Sequence, residues 1–297
     1  MLGWRLFLSA IMIPAFIGGF YFDAQFGPAA PFLCILAIAL AARSSWEMVD
    51  LLKTRSFRPD ARIVIACAVI VVAANWIQRW SGNESSAPTG VGALGPCLLA
   101  FTVALLALFL HAALRYREPG NSMESLGAEV LTVAYVGILL SVTAQLRWVA
   151  GADAGYLALG SLIIATKSGD IGAYTLGRLF GKRKMIPRLS PGKTWAGAYG
   201  AVLGAGAASW AWFTFATPLL IPGTKPCAPH WAILFGVVLG VVGLIGDLCE
   251  SLIKRDVGRK DSAVLLPGFG GVLDILDSIL YAGPVAYILW LLLPLGP

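Results

Sequence analysis

Long apolar segments alternate with short polar segments along the whole chain. The apolar segments are about 20 residues long, which is the length that a helix needs to cross the hydrocarbon core of a membrane. Hydropathy places them at about residues 6–22, 27–44, 62–79, 94–114, 126–146, 155–177, 195–221, 231–253 and 272–294. The pattern therefore predicts an all-α, polytopic integral membrane protein with about nine transmembrane helices.

The composition agrees with this prediction. Of the 297 residues, 58% are hydrophobic and only 13% are charged, whereas soluble domains contain about 45–50% apolar and about 25% charged residues. The five cysteines show no CxxC spacing and lie mostly within or beside apolar segments. Cysteine behaves there as a small hydrophobic residue, so we assign it no redox or zinc-binding role.

Basic residues are concentrated in alternate loops. The chain has 22 basic and 16 acidic side chains, and most of the basic ones follow the second, fourth, sixth and eighth apolar segments. Because positively charged loops stay in the cytoplasm, we expect the N-terminus and these loops to be cytoplasmic, in the inner (cytoplasmic) membrane. For the loop at 43–62, topology and contact with anionic lipids account for the charge.

The sixth apolar segment carries two opposite charges within a helix. Lys167 and Asp170 are costly in a membrane unless they are paired or hydrated, so they are candidates for function. Asp170, Tyr174 and Gly177 have the spacing of residues on one helix face. A purely structural ion pair between Lys167 and Asp170 is the alternative explanation.

A glycine-rich string precedes the seventh apolar segment, at Ser190-Pro191-Gly192-Lys193-Thr194. It is not a P-loop, because Pro187 stands where that motif needs a glycine and a helical membrane protein lacks the preceding strand. A turn at a helix N-terminus, with hydroxyl groups and a lysine, suits a phosphate group. An ordinary capped turn remains the alternative.

Two groups of carboxylates lie at the ends of the eighth and ninth apolar segments. Asp247, Glu250, Ser251 and Lys254 form one polar stripe, and a second contains Asp274 and Asp277. Because these segments run antiparallel through one loop, we expect Asp247 and Asp274 to lie at similar depth and to share a divalent cation. A proton-coupled transporter also uses buried carboxylates, but near the bilayer midplane rather than at one surface.

This last region resembles the signature of the phosphatidate cytidylyltransferases, also called CDP-diacylglycerol synthases. The matching residues are Ser251, Lys254, Arg255, Lys260, Asp261, Ser262, Pro267, Gly268, Gly270, Gly271, Asp274 and Asp277. Three further elements of that family recur upstream in order, at 170–178, 190–197 and 246–251. The resemblance covers roughly 165–280.

The resemblance implies transfer of a cytidylyl group from CTP to a lipid phosphate, most naturally phosphatidate, with Mg²⁺ as cofactor. It divides the chain into N-terminal transmembrane helices at 1–150 and catalytic helices with cytoplasmic loops at 151–297. The expected partners are CTP, the lipid phosphate, membrane lipids and a second copy of the chain, and no nucleic acid. The implied catalytic residues are Asp247, Asp274, Lys254, Arg255, Lys260 and Asp261. The implied substrate-binding residues are Asp170, Tyr174, Arg178, Ser190, Pro191, Lys193, Thr194, Ser251, Gly270 and Gly271. The implied metal ligands are Asp247, Asp274, Asp277 and Glu250.

The chain departs from the family pattern at four positions. Phe269 replaces a histidine, Ile275 an arginine, and Gly192 and Ala196 a lysine and a glutamate. The missing histidine does not exclude the reaction, because a phosphate monoester already carries about −1.5 to −2 charge at neutral pH and needs no protein base. The departures leave open an isoprenoid or ether-linked lipid phosphate as substrate, and an inactive relative.

Overall fold

The computed structural model describes residues 2–55, 58–80, 90–263 and 270–296. Within these ranges the chain is almost entirely helical. The helices are α1 (Leu2–Ala24), α2 (Pro31–Leu52), α3 (Ala61–Ala73), α4 (Ile77–Trp80), α5 (Gly95–Arg115), α6 (Ser122–Thr132), α7 (Leu139–Gln145), α8 (Gly151–Phe180), α9 (Trp195–Leu220), α10 (Pro229–Asp256) and α11 (Val272–Leu292). A π-helical segment, Val133–Ile138, joins α6 to α7.

Six helical segments in the described ranges are long and apolar enough to cross a membrane. They are Gly27–Leu52, Ala61–Trp80, Gly90–Arg115, Ser122–Gln145, Pro229–Asp256 and Val272–Leu292. The prediction of an all-α membrane protein is confirmed, whereas the number of nine spans is not and stays a prediction. Helices α8 and α9 coincide with two further predicted spans and have 30 and 26 residues. They are rich in glycine, alanine and polar residues, which lowers their hydropathy.

The chain forms two compact units, one of Met1–Gln145 with Asp256–Ile275 and the other of Leu146–Arg255 with Leu276–Pro297. The functional division at residue 150 stays a prediction. The structural division differs from it, because the loop before α11 packs with the N-terminal helices.

The first unit has an apolar core to which α2, α3, α5 and the α6 segment contribute. Its buried members are Val49, Val64, Cys67, Val71, Ala104, Leu108, Leu126 and Val133. Asp60 caps α3 by accepting a hydrogen bond from the Arg62 N–H at 3.0 Å, and it lies 2.8 Å from Arg115 of α5. The cap and the ion pair therefore fix the start of α3 beside the end of α5.

Small residues determine the packing of the second unit. A Cβ atom at Gly172 of α8 would lie 2.2 Å from the carbonyl oxygen of Gly200 in α9, and one at Gly236 of α10 would lie 2.4 Å from the carbonyl oxygen of Ala205. Glycine at these positions lets the helix backbones approach closely, as is common in membrane proteins.

A short β-hairpin connects α8 to α9. Its strands are β1 (Lys184–Ile186) and β2 (Ser190–Thr194), which pair antiparallel with Lys184 opposite Thr194. The expectation of a simple turn without a strand is therefore wrong here. Thr194 ends β2 and caps α9, its hydroxyl accepting from the Gly197 N–H at 3.1 Å.

Candidate active site

A stripe of polar side chains lies on the C-terminal turns of α10. Asp247, Glu250, Ser251 and Lys254 are spaced so that they share one face of the helix. Ser251 Oγ donates to Asp247 Oδ1 at 3.4 Å, and Lys254 Nζ lies 2.8 Å from Glu250 Oε2. The Glu250 side chain is fully buried, so its pairing with an ammonium group offsets part of the cost of burying the charge.

Helix α11 adds a third carboxylate to this stripe. One oxygen each from Asp247, Glu250 and Asp277 lie within 4.8 Å of one another; we call these three residues the carboxylate cluster. A Cβ atom at Gly246 would lie 2.6 Å from Tyr281 Cβ and 2.8 Å from the Asp277 carbonyl oxygen. The glycine before Asp247 therefore lets α10 and α11 pack closely enough for their carboxylates to converge.

The β-hairpin supplies a second lysine to the cluster. Lys193 Nζ lies 2.9 Å from Asp247 Oδ2 and donates to the carbonyl oxygen of Leu244 at 3.2 Å. Its side chain is only 15% exposed, and partial burial strengthens an ion pair relative to one in water. Three carboxylates at this separation repel one another, and the two lysines reduce that repulsion.

Helix α8 contributes a separate charged pair in the same unit. Lys167 Nζ lies 3.1 Å from Asp170 Oδ2. The Ser278 hydroxyl of α11 accepts from Lys167 Nζ at 3.1 Å and lies 3.4 Å from Asp170 Oδ2, to which it can donate. Farther along α8, Arg178 donates to the exposed Tyr174 hydroxyl at 2.8 Å. The ion pair that the sequence suggested is therefore present, and Ser278 links it to α11.

Asp274 lies in the first unit and has different partners from those expected. Its Oδ2 atom accepts hydrogen bonds from the backbone N–H of Ser262 at 2.9 Å, from the Ser262 hydroxyl at 2.9 Å and from the Gly271 N–H at 2.8 Å. We expected Asp274 to share a cation with Asp247, and these contacts support another role. Asp274 is the third residue of α11, so its carboxylate turns back to the free N–H groups at the helix start.

Glu47 of α2 also contacts the start of α11, and the sequence analysis missed it. Its carboxylate accepts hydrogen bonds from the N–H groups of Val272 at 3.0 Å and Leu273 at 2.9 Å. Glu47 lies just beyond the apolar segment predicted at 27–44, in the loop at 43–62, so its sequence position gave no signal of a buried acid. It was overlooked because the nearby basic residues were assigned to topology and lipid contact.

The other predicted site residues lie on the hairpin and on the loop after α10. Arg255 donates to the Leu189 carbonyl oxygen at 3.4 Å, while Lys260 and Asp261 are exposed. Thr194 is buried with its hydroxyl in the cap of α9, and the neighbouring Pro191 is exposed. Pro267, Gly268 and Phe269 lie outside the described residues.

A protein-family model matches the chain over almost its whole length. The model of the cytidylyltransferase family matches residues 4–293. A phosphatidate cytidylyltransferase of Pseudomonas aeruginosa is 32% identical over 295 residues, which cover 98% of this chain and 97% of that protein.

Other relatives match over a shorter region. A phosphatidate cytidylyltransferase of Mycobacterium bovis is 36% identical over 178 residues, which cover 60% of this chain and 54% of the relative. An Escherichia coli K12 protein, named as the uncharacterized protein YnbB, is 41% identical over 133 residues, or 45% of this chain and 42% of the relative. In these two cases the matched region spans only about half the length of the curated relative.

Proposed function

The chain belongs to the cytidylyltransferase family, and on that premise we propose that it transfers the cytidylyl group of CTP to phosphatidate. The products are CDP-diacylglycerol, a precursor for phospholipid biosynthesis, and pyrophosphate. The observation that carries the proposal is the carboxylate cluster of α10 and α11, flanked by two lysines at ion-pair distance. Carboxylates and lysines together suit a polyphosphate bound with a divalent cation.

The reaction needs little covalent chemistry from the protein. A phosphate oxygen of the lipid attacks the α-phosphorus of CTP, a new P–O bond forms, and the bond from the α-phosphorus to the bridging oxygen breaks as pyrophosphate leaves. The lipid phosphate is already anionic at neutral pH, so no protein base is required. Catalysis of such transfers depends mainly on positioning the reactants and on neutralising the phosphate charge.

We assign the cofactor Mg²⁺ to Asp247, Glu250 and Asp277. Three carboxylates with converging oxygens fit a hard cation, which prefers oxygen ligands. When bound, the ion would neutralise phosphate charge. Asp274, which the resemblance also implies as a ligand, is left out of this assignment, because its hydrogen bonds support a structural role.

The lysines that now neutralise the cluster are proposed to bind phosphate oxygens of CTP. Lys193 and Lys254 each pair with one carboxylate, and a cation bound by those carboxylates would release the ammonium groups for substrate. The remaining assignments are those that the family pattern implies. They are Asp170, Tyr174, Arg178, Ser190, Pro191, Ser251, Arg255, Lys260, Asp261, Gly270 and Gly271.

We further propose that the protein lies in the inner (cytoplasmic) membrane, with its N-terminus and the loops before α9 and α11 in the cytoplasm. The basic residues of these loops support this orientation, and CTP is a cytoplasmic nucleotide. We also propose that the protein forms a homodimer, and this proposal rests on the family resemblance alone.

The substrate class is tested with purified protein, labelled CTP and Mg²⁺. Phosphatidate, an isoprenoid phosphate and an ether-linked lipid phosphate are offered separately, and phosphatidate is expected to give the fastest formation of a CDP-lipid. If only one of the other two lipids gives a product, that lipid is the substrate and the assignment of phosphatidate is wrong. No product from any of them, together with ion or proton flux in proteoliposomes lacking CTP, would favour a transporter.

A further inference from the structure

Glu47 is a buried carboxylate with an unusually complete set of hydrogen-bond donors. Its Oε1 atom accepts from Arg43 Nε at 2.9 Å and from the Val272 N–H at 3.0 Å. Its Oε2 atom accepts from the Leu273 N–H at 2.9 Å and lies 3.0 Å from the Ser262 hydroxyl. The side chain is fully buried, so the carboxylate exchanges its hydration for these donors.

These donors make Glu47 a helix cap supplied from another helix. The first N–H groups of a helix have no partner within it and are usually satisfied by a neighbouring side chain. The residue before α11 is Gly271, which has no side chain, so Glu47 provides the acceptor from α2. Asp274 completes the arrangement by accepting from the Gly271 N–H at 2.8 Å. Both carboxylates lie at the positive end of the helix dipole, which favours them.

The two glycines before α11 leave no room for a side chain of their own. A Cβ atom at Gly271 would lie 2.2 Å from Ser262 Oγ and 2.3 Å from Glu47 Oε2. Gly270 has a φ of +87°, and a Cβ there would lie 2.3 Å from Asp274 Oδ2. The two glycines therefore allow Glu47, Ser262 and Asp274 to approach the backbone before α11 closely. The hydrogen bonds of Glu47 come from two backbone N–H groups and from the side chains of Arg43 and Ser262.

Two ion pairs between the residues at and after the end of α2 and this loop involve exposed side chains. Arg55 lies 2.8 Å from Asp256, with side chains 44% and 61% exposed, and Arg259 lies 3.0 Å from Asp50, with side chains 42% and 43% exposed. Exposed ion pairs are screened by water and contribute little. The buried cap is therefore the stronger constraint on the loop.

We infer that Glu47 is a positioning residue for cytidylyl transfer, although it lies outside every motif that carries the family signature. It fixes Ser262 and the first turn of α11, and so holds the loop that presents Lys260 and Asp261, two residues proposed to act on the phosphates. The inference rests on the proposed function. It predicts that changing Glu47 impairs turnover more than it impairs substrate binding or folding.

The test compares Glu47→Gln with Asp50→Asn in the purified protein. Both variants replace an acid by its amide on α2, but only the first puts an NH2 group in place of an accepting oxygen of a buried cap. We expect Glu47→Gln to lower kcat about tenfold or more, because small misplacements of catalytic groups are costly, with KM for CTP changed less than about twofold. Asp50→Asn should retain kcat within about twofold. Rates are normalised to folded protein, so that a loss of folded molecules alone leaves kcat unchanged.

Hydrogen exchange provides a readout that does not depend on activity. In Glu47→Gln, the amides of 256–263 and 270–275 should exchange faster, while those of α8 and α9 are unchanged. Equal kcat in the two variants, or faster exchange throughout the chain, would overturn the inference. Absence of CTP turnover in the wild type would refute the proposed function, and the exchange pattern would still decide whether Glu47 holds this segment.

Discussion

Lys193 of the β-hairpin contacts the carboxylate cluster of α10 and α11 through Asp247. The side chain is largely buried and pairs with Asp247 at 2.9 Å. A lysine in this position has two uses. It neutralises a carboxylate in the free protein, and on the proposed function it binds a phosphate group once a divalent cation is bound by that carboxylate.

Substitution of Lys193 tests this role. Lys193→Met keeps the apolar part of the side chain and removes the charge, so the rate of CDP-lipid formation should fall about 100-fold, the effect of removing one group that stabilises developing charge. Lys225→Met is the matched control, since Lys225 is exposed on the α9–α10 connection. Activity of Lys193→Met equal to that of the control would remove Lys193 from the site.

The identity of the carboxylates shows what the sequence could not decide. The spacing of residues 247–254 correctly placed four polar side chains on one face of α10, because helical periodicity is a local property. The hydrogen-bond partners of Asp274 depended on where α11 begins, since an acid at the third helical position can turn back to the free N–H groups. Glu47 could not be found from local patterns, because the N–H groups of α11 that it caps lie more than 200 residues away in the chain.

At the level of the elements, the packing of the second unit depends on the close approach of its helices. Gly172→Ala should destabilise the protein by about 1–3 kcal/mol, because the added methyl group would overlap the Gly200 carbonyl oxygen and overpacking has a cost of that order. The measurement is the thermal midpoint of the purified protein. Gly120→Ala is the control, since nothing lies within 4 Å of a Cβ there. Equal midpoints would show that α8 and α9 are not packed through Gly172.

The N-terminus of α3 gives a second prediction at this level. Asp60→Ala removes the cap and should lower the free energy of unfolding by about 1 kcal/mol at neutral pH. Glu118→Ala, an exposed acid in the loop after α5, should have little effect. The thermal midpoints of both variants are compared with that of the wild type.

The contribution of Asp60 should also depend on pH. Partial burial raises the pKa of Asp60, but the hydrogen bond from Arg62 and the charges of Arg115 and His111 outweigh it, so the pKa lies below its ordinary value. A lowered pKa in the folded state stabilises the protein above the unfolded value of about 3.9, and this contribution is lost as the pH falls through the folded value. The difference between wild type and Asp60→Ala should therefore be largest near pH 7 and shrink below about pH 4. A constant difference would contradict the electrostatic part of this account.

The hairpin is the element that the sequence analysis missed. Ser190–Thr194 contains proline and glycine and shows no alternation of apolar and polar residues, so nothing local predicts a strand. The long helices were predictable because their hydrophobic length is a property of each segment alone. The α8 and α9 segments are not among the six described segments that are apolar enough to cross a membrane, because they contain many glycine and alanine residues that allow close packing.

For the whole molecule, the proposal requires the loops before α9 and α11 to face the cytoplasm. In a background without the native cysteines, Arg183→Cys and Arg259→Cys should be protected from an impermeant thiol reagent in intact cells and labelled in inverted vesicles. Lys225→Cys should show the opposite pattern. Labelling of the first two from outside would separate these loops from CTP and contradict the orientation that their charge predicts.

The most direct test of the proposed reaction is the rate of CDP-lipid formation by wild type and Asp277→Asn, measured together with pyrophosphate release. Wild-type protein should form both products in equal amounts only when CTP, phosphatidate and Mg²⁺ are all present. Asp277→Asn retains the shape of the side chain but loses a charge of the carboxylate cluster, so its rate should fall at least about 100-fold, while Glu118→Gln remains near the wild-type rate. No product from the wild type with any lipid phosphate, or an undiminished rate in Asp277→Asn, would contradict the account.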